Sequence, residues 1–306
     1  MPDNSITIVI PVFNRADELV RALSSLVDQT DKDFDVIVCD DGSTEDIYSK
    51  TKHYRDILRV KFIRIDNSGG PARPRNKAVE IVTATWVSFL DSDDWWYAER
   101  ISELRSHLSD DVDVVYHRLK ITKPDDENTF NPTSSKPVLI GERIKGADAL
   151  MHMIRYGNPL PTSATVVRRE LLLKAGGFNE STDLASVEDF DTWLTLAQLG
   201  ARFRFIDKAL GAYWIGSDQI STFGKKQYAR QSRLFSKHLD ALDSEYRKFA
   251  ISNFSYLLGS YCLMLDMPGA EKYYSKIGFF PEPRLWFKSR IKFLRYGYFR
   301  RARKNP

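Results

Sequence analysis

Cysteine is scarce in this sequence: Cys39 and Cys262 are the only two among 306 residues. Because they stand far apart in unrelated contexts, a disulfide framework and a cysteine zinc site are both excluded, and a reducing compartment is indicated. The sequence also shows no signal-peptide pattern and no apolar run long enough to span a bilayer. These absences predict a cytoplasmic protein, or one bound peripherally to the inner face of the cell membrane.

Acidic residues are absent after Glu282, in a stretch that carries nine basic residues interleaved with aromatic ones. The whole chain has a net charge of +4, so the residues before this tail are acidic in sum. Mixed aromatic and basic segments adsorb to anionic membrane surfaces, which is the partner we expect for residues 284–303. A solvated basic helix packed on the rest of the protein is the alternative. We expect no nucleic-acid partner, because the body is acidic.

Two phosphate-binding signatures are missing as well. The first predicted strand is followed by Pro-Val-Phe-Asn at residues 11–14, where a dinucleotide-binding protein has Gly-x-Gly-x-x-Gly. The P-loop pattern Gly-x-x-x-x-Gly-Lys-Ser/Thr does not occur. Dinucleotide-dependent redox chemistry and P-loop nucleotide hydrolysis therefore lose their main support.

The first half of the sequence alternates strand and helix patterns. Apolar runs typical of strands covered on both faces occur at residues 6–10, 35–39, 60–65, 85–90 and 113–117. Helices are predicted after Asn14, its expected N-cap, with an inner face that includes Leu19 and Leu23, and over residues 75–82. Helix patterns return at residues 146–156 and 190–199, and strand patterns at residues 163–168 and 202–206.

This order of elements predicts an α/β protein with a doubly wound sheet, in which ligands bind outside the carboxyl ends of the strands. Strand patterns stop after Phe223, and the remaining sequence is helical in pattern and basic. We therefore expect a sheet domain over residues 1–224 and a helical extension over residues 225–306.

Three acidic clusters stand out. Asp40 and Asp41 follow the second predicted strand, Asp-Ser-Asp-Asp at residues 91–94 follows the fourth, and three acids at residues 188–191 open a predicted helix. Each cluster has an ordinary explanation as a turn or a helix start. However, two carboxylates about 4 Å apart repel each other by roughly 1 to 4 kcal/mol. A bound Mg²⁺ or Mn²⁺ would relieve this repulsion and could bridge a diphosphate leaving group.

The motifs occur in an order that resembles the family 2 glycosyltransferases, inverting enzymes of the GT-A fold. The resemblance covers roughly residues 5–222 and rests on residues 9–15, 38–44, 67–70 with 75–76, 89–95, 176–178, and 188–189 with Trp193. It implies a Rossmann-like, doubly wound mixed sheet with a C-terminal helical extension. It also implies transfer of a hexose or N-acetylhexosamine from a UDP-sugar to the hydroxyl of a saccharide acceptor, lipid-linked in many bacterial enzymes, during surface polysaccharide assembly.

The resemblance assigns roles on the donor side of the site. Pro11 and Phe13 would line the nucleoside pocket, and Asp41 would accept a hydrogen bond from the base. Arg75 would lie close to the nucleotide, and Asp91 would face the ribose.

The resemblance also assigns the reacting groups. Asp93 would ligate the Mn²⁺ or Mg²⁺ ion that bridges the two phosphates, and Asp189 would be the general base, because a sugar hydroxyl must lose its proton as it attacks. Glu188 completes the family's Glu-Asp pair and is placed among the substrate-binding residues. Trp95 is predicted either to stack on a sugar or to anchor its loop in the core. Gly216 stands where many members carry a metal-binding histidine, which implies that the ion depends on Asp93, phosphate oxygens and water.

Two other functions stay open at this point. A sugar-1-phosphate nucleotidyltransferase would share a similar sheet, but it would carry a Gly-rich basic loop after the first strand, where only Arg15 is basic. A membrane-docking adaptor with a degenerate transferase fold is the non-enzymatic alternative, and it would show no thermal shift with UDP and Mn²⁺.

Overall fold

The computed structural model describes residues 4–123, 138–216 and 223–304, with side chains described as far as Leu294. The predicted basic tail is therefore described in part, and its side chains from residue 295 onward lie outside the described residues. Within the described residues, no helix is both long and apolar enough to cross a bilayer.

Nine strands of the described chain form one mixed sheet in the order β3-β2-β1-β4-β8-β6-β9-β5, with β7 paired to β6. The neighbours in β3-β2-β1-β4 run parallel, whereas β8 lies antiparallel between β4 and β6. This arrangement confirms the predicted α/β class and the mixed sheet. The strands are β1 Ile6–Val12, β2 Asp35–Asp40, β3 Val60–Arg64, β4 Trp86–Phe89, β5 Trp95–Trp96, β6 Val114–Thr122, β7 Leu139–Ile140, β8 Thr165–Arg168 and β9 Phe203–Trp214.

The described helices fall into two compact units. The first unit consists of residues 1–147 and 158–220, and the second of residues 148–157 and 221–306. The sheet unit contains α1 Ala16–Val27, α2 Ile47–Thr51, α3 Ala72–Glu80, α4 Arg100–Arg105, α6 Arg169–Lys174 and α7 Glu188–Gln198. The second unit contains α5 Ala149–Tyr156, α8 Lys225–Leu239, α9 Ser244–Met264, α10 Ala270–Ser275 and α11 Pro283–Lys304.

Hydrophobic burial explains the first strand and helix. All seven residues of β1 are buried, and α1 buries its predicted apolar stripe, including Leu19 and Leu23, against the sheet. Burying a leucine side chain of this kind contributes about 1.5 to 3 kcal/mol relative to leaving it exposed. The helical spacing of apolar residues was therefore a reliable guide here.

The predicted N-cap of α1 was wrong. Asn14 adopts a left-handed conformation with φ 49°, and its side-chain oxygen accepts hydrogen bonds from the backbone of Thr44 and Glu45 instead. The Glu45 carboxylate accepts the backbone N–H of Ala16 at 3.0 Å. The first turn of α1 is thus capped by a residue from the loop after β2.

The second unit has its own apolar contacts. Ile154 of α5 packs with Leu242, Ala250 and Phe254, and α10 packs on α9 through Tyr274 and Cys262. The helix predicted near residues 146–156 thus belongs to this unit, although β8 and β9 of the sheet unit follow it in the sequence.

Candidate active site

Two acids of the loop after β4 are held by arginines. The Nη2 atom of Arg75 donates to Oδ1 of Asp91 at 2.6 Å, and Arg15 forms an ion pair with Asp93. Burial raises the pKa of Asp93, although the charge of Arg15 opposes this shift. The repulsion that predicted a bound cation is therefore relieved, at least in part, by the protein's own guanidinium groups.

The third acid of this loop, Asp94, is buried and bonded to the backbone of another strand. Its side chain is 1% exposed, and its Oδ1 atom accepts the backbone N–H of Trp214 at 2.9 Å. Burial raises its pKa well above the usual range, and the charges of Asp93 and Asp91 add to this shift. Asp94 therefore joins the acidic loop to β9.

Arg75 connects this loop to the start of α7. Its guanidinium is buried and donates to Asp91 at 2.6 Å and to Glu188 at 2.8 Å. Burial alone would lower the pKa of Arg75, but the charges of Asp91 and Glu188 raise it. Losing one partner of such a buried pair costs about 3 to 5 kcal/mol, because a charge is left uncompensated. The bridge therefore fixes two segments that lie far apart in the sequence.

Asp189 lies next to this bridge in a different setting. Its Oδ2 atom accepts hydrogen bonds from Asn158 Nδ2 at 3.0 Å and Thr162 Oγ1 at 3.2 Å, and the Phe190 backbone N–H donates to Oδ1 at 2.7 Å. Burial, followed by the charge of Glu188, raises the pKa of Asp189 to about 7. A carboxylate with such a pKa is suited to general base catalysis near neutral pH.

The other two acids of α7 are less accessible. Glu188 is 3% exposed and Asp191 is 2% exposed, whereas Asp189 is half-buried. Their placement agrees with the expectation that neighbouring acids on a helix face different directions. Asp189 is the most accessible carboxylate of the three, and its catalytic role stays a prediction.

Asp41 is positioned by a residue to which the sequence gave no role. The Ser68 backbone N–H donates to Oδ1 of Asp41 at 2.9 Å, and the Ser68 hydroxyl donates to Oδ2 at 3.0 Å. Burial raises the pKa of Asp41. Ser68 also lines a recess of about 220 Å³ together with Arg73 and Glu188. Ser68, the partner of Asp41, and Glu188, a partner of Arg75, therefore border one recess.

A clasp next to Arg75 explains the glycine motif at residues 176–178. The Asn76 amide donates to the Phe178 carbonyl and accepts the Phe178 backbone N–H, both at 2.8 Å. Gly177 has φ 71°, and a Cβ atom there would lie 2.6 Å from the Asn76 side-chain oxygen. Only glycine fits this conformation without displacing the clasp.

Pro11, Phe13 and Trp95 complete the set of predicted substrate-binding residues. Pro11 is buried at the end of β1, whereas the Phe13 side chain is 45% exposed. Trp95 is half-buried, with the Arg21 guanidinium 4.3 Å from its ring centre and 4.5 Å from that of Trp214. This stacking gives Trp95 a packing role and leaves its contact with a sugar as a prediction.

The acidic loop can supply only part of a metal site. Among the described residues, no group of three or more His, Cys, Asp and Glu side chains is placed to hold an ion. Asp93 fits the role of a single carboxylate ligand, because Mg²⁺ sites often combine one or two carboxylates with substrate phosphates and water. Arg15 would have to release the carboxylate for this to happen.

The chain is similar to several characterised and uncharacterised glycosyltransferases. It is 30% identical over 128 residues to an uncharacterized glycosyltransferase of Rickettsia conorii, which is 42% of this chain and 21% of that protein. This chain therefore spans about a fifth of the length of that relative. It is also 26% identical over 229 residues to the Escherichia coli UDP-Glc:alpha-D-GlcNAc-diphosphoundecaprenol beta-1,3-glucosyltransferase WfaP, covering 75% of this chain and 84% of WfaP.

Solved structures share the fold. S. aureus TarS 1-349 in complex with UDP-GlcNAc has a TM-score of 0.63 at 22% identity, covering 93% of this chain and 79% of that chain. A mannosyltransferase from Pyrobaculum calidifontis, in complex with GDP-Man and Mn²⁺, has a TM-score of 0.62 at 16% identity, covering 96% and 82%. These likenesses confirm the GT-A fold. The glycosyl transferase family 2 model matches residues 7–174, more than half of the chain, and the chain belongs to this family.

Proposed function

We propose that this chain is an inverting glycosyltransferase that moves a hexose or N-acetylhexosamine from a UDP-sugar to a hydroxyl of a saccharide acceptor in surface polysaccharide assembly. The observation that carries the proposal is the Arg75 bridge from Asp91 to Glu188. It holds the acidic loop after β4 beside the residue that precedes Asp189, the carboxylate whose pKa is raised to about 7. We assign this chemistry to residues 1–224 and place the extension over residues 225–306 outside it.

Asp189 acts as the general base in this proposal. The acceptor oxygen forms its new bond to the anomeric carbon from the side opposite the diphosphate, and the acceptor proton passes to an Asp189 carboxylate oxygen. The bond to UDP breaks with its electron pair on the diphosphate, so one displacement inverts the anomeric centre. Asn158 and Thr162 donate to the same carboxylate oxygen and thus orient the base.

The donor would occupy the edge formed by the ends of β1, β2 and β4. Asp41, with Phe13 and Pro11, would meet the nucleoside beside the recess that Ser68 and Arg73 border. Asp93 would hold the Mn²⁺ or Mg²⁺ ion with phosphate oxygens and water. When bound, such an ion would neutralise the charge of the departing diphosphate.

The relatives support the choice of donor and acceptor. The printed name of WfaP includes a UDP-glucose donor and a diphosphoundecaprenol-linked acceptor, and TarS was solved with UDP-GlcNAc. The mannosyltransferase with GDP-Man and Mn²⁺ shows that the same fold also accepts a guanine nucleotide. A lipid-linked saccharide is therefore the acceptor class that we propose to test first.

A donor screen tests this proposal. UDP-, GDP- and dTDP-sugars are compared by thermal shift and by donor hydrolysis, with and without Mn²⁺. We expect UDP-sugars with Mn²⁺ to stabilise the protein most, because ligand binding at 100 times its dissociation constant adds about 2.7 kcal/mol. In Asp93→Ala, the metal-dependent part of this shift is expected to disappear.

The control variant is Asp189→Asn, which should keep the full UDP and Mn²⁺ shift because Asp189 lies outside the proposed metal and nucleotide contacts. No shift with any nucleotide in the wild-type protein would contradict the proposal and favour a non-enzymatic role. Release of pyrophosphate from a nucleoside triphosphate would indicate a nucleotidyltransferase instead.

A further inference from the structure

The last described helix, α11, has one apolar side that packs against the second unit. Leu285 packs against the cluster around Cys262 and Tyr274, and Ser289 is fully buried. The ring of Phe293 lies 6.3 Å from that of Tyr274. This inner side accounts for the attachment of α11 to α9 and α10.

The opposite side of α11 is also apolar, but it is exposed. Phe287 is 53% exposed, Ile291 is 52% exposed and Leu294 is 71% exposed. Their spacing of four and then three residues places them on one face of a helix. The second apolar face of α11 is thus exposed and has no partner among the residues whose side chains are described.

The segment before α11 extends this face. Phe280 is 81% exposed and Phe279 is 43% exposed, and the ring of Phe279 lies 5.9 Å from that of Phe287. We call these five residues, Phe279, Phe280, Phe287, Ile291 and Leu294, the outer apolar surface. Contiguous apolar surfaces of this kind mark interaction sites more often than isolated exposed residues do.

Basic residues flank the outer apolar surface. Arg284, Lys288 and Arg290 are all exposed, and helical spacing places the first two on one flank and the third on the other. Glu282, the last acid of the chain, is buried and forms an ion pair with Arg155 at 2.6 Å. The sequence then continues to its end with further basic residues and no acid. The partner of this surface should therefore be apolar at its centre and negatively charged around it.

We propose that the outer apolar surface docks on an anionic lipid bilayer, with α11 lying in the plane of the interface. Amphipathic helices bind in this way when apolar residues enter the boundary between headgroups and acyl chains and flanking Lys and Arg meet anionic lipids. A second copy of the chain fits less well, because a two-fold interface would bring its basic flanks together. Nucleic acid would match the charge but not the aliphatic side chains of Ile291 and Leu294. This docking is independent of the proposed transfer reaction.

Vesicle sedimentation of the full chain tests the proposal. We expect the protein to bind vesicles of equal parts phosphatidylglycerol and phosphatidylcholine, and to bind pure phosphatidylcholine vesicles roughly tenfold or more weakly. The triple substitution Phe287→Ser, Ile291→Ser and Leu294→Ser should weaken binding to the anionic vesicles by roughly tenfold or more. Equal sedimentation of this variant and the wild type would overturn the proposal.

A matched control removes the same number of exposed apolar side chains from the sheet unit. Ile57, Leu173 and Leu199 are 58%, 44% and 41% exposed, and their joint substitution by serine should leave vesicle binding unchanged. Both triple variants should keep the wild-type melting temperature and the wild-type rate of donor hydrolysis, so a loss of vesicle binding cannot be assigned to unfolding or to the active site. If the control variant lost binding equally, the outer apolar surface would not be the docking site.

A probe of local insertion gives a second measurement. Because Cys39 and Cys262 are both buried, a new cysteine in Ile291→Cys can be labelled selectively with an environment-sensitive dye. Anionic vesicles should shift the dye emission to shorter wavelength, whereas the dye on Leu199→Cys should not respond. An emission shift that depends on protein concentration without vesicles, or that follows addition of single-stranded DNA, would overturn the membrane assignment in favour of a second copy or a nucleic acid.

Discussion

The loop after β4 and the start of α7 each contain three acids within four residues, but the partners of these acids differ between the two regions. In the loop, Asp91 and Asp93 are paired with Arg75 and Arg15. At the start of α7, the hydrogen-bond donors to the Asp189 side chain are neutral. Burial and the charge of Glu188 raise the pKa of Asp189 to about 7, and neutral donors oppose this shift less than a positive partner would. The comparison shows that residues distant in the sequence determine the surroundings of each acid, which the similar local sequences do not distinguish.

The largest effect is expected on kcat when Asp189, the proposed base, is replaced. Asp189→Asn keeps the size of the side chain and removes the base, so kcat should fall by roughly 10² to 10⁴-fold with little change in the donor KM. Initial rates of sugar transfer measure this. Normal turnover in Asp189→Asn combined with loss in Asp191→Asn would move the base to Asp191.

The two arginine pairs can be separated by their effect on stability. Arg75→Met leaves Asp91 and Glu188 without their buried partner, so the free energy of unfolding should fall by about 3 to 5 kcal/mol. Arg15→Met breaks a more accessible pair and should cost about 1 kcal/mol or less. Urea denaturation of both variants measures the difference. Equal losses would mean that Arg75 is no more structural than Arg15.

A smaller effect, expected from pH, sharpens the same contrast. A base must be deprotonated, so kcat should be constant above about pH 8, reach half its maximum near pH 7 and fall further as pH drops below the pKa of Asp189. Well below that pKa the fall should approach tenfold per pH unit, about a hundredfold by pH 5. The pH profile of kcat with saturating donor measures this. A profile that stays flat down to pH 5 would contradict the raised pKa of Asp189.

Local sequence patterns predicted the framework of the fold well. The strand runs, the buried stripe of α1 and the acids after β2 and β4 follow from periodicity and from the order of elements. The N-cap of α1 was predicted wrongly, because Asn14 lies in a left-handed turn and Glu45 from another loop caps the helix. No pattern within residues 14–17 carries that information.

The residues that pair with the site residues could not be predicted either, because they too come from distant parts of the sequence. Ser68 was part of a recognised motif, but its two hydrogen bonds to Asp41 depend on how two loops meet. Asn158 and Thr162 lie in a proline-containing turn that fitted either a pocket or a rigid connection. The sequence predicted repulsion between the carboxylates of the loop after β4. It did not predict that Arg15 pairs with Asp93, because these two residues are 78 positions apart.

The bridge from Arg75 to Glu188 also bears on how the protein is made. Its two ends are separated by 113 residues, so at about 5 to 20 residues per second a ribosome needs roughly 6 to 23 s to synthesise the chain between them. Strands β1 to β3 are made before this interval, and β4 and Asp91 are made early in it. Arg75 then lacks Glu188, half of its counter-charge, until the end of the interval. During synthesis, the first strands should therefore become ordered well before the proposed nucleotide site is complete.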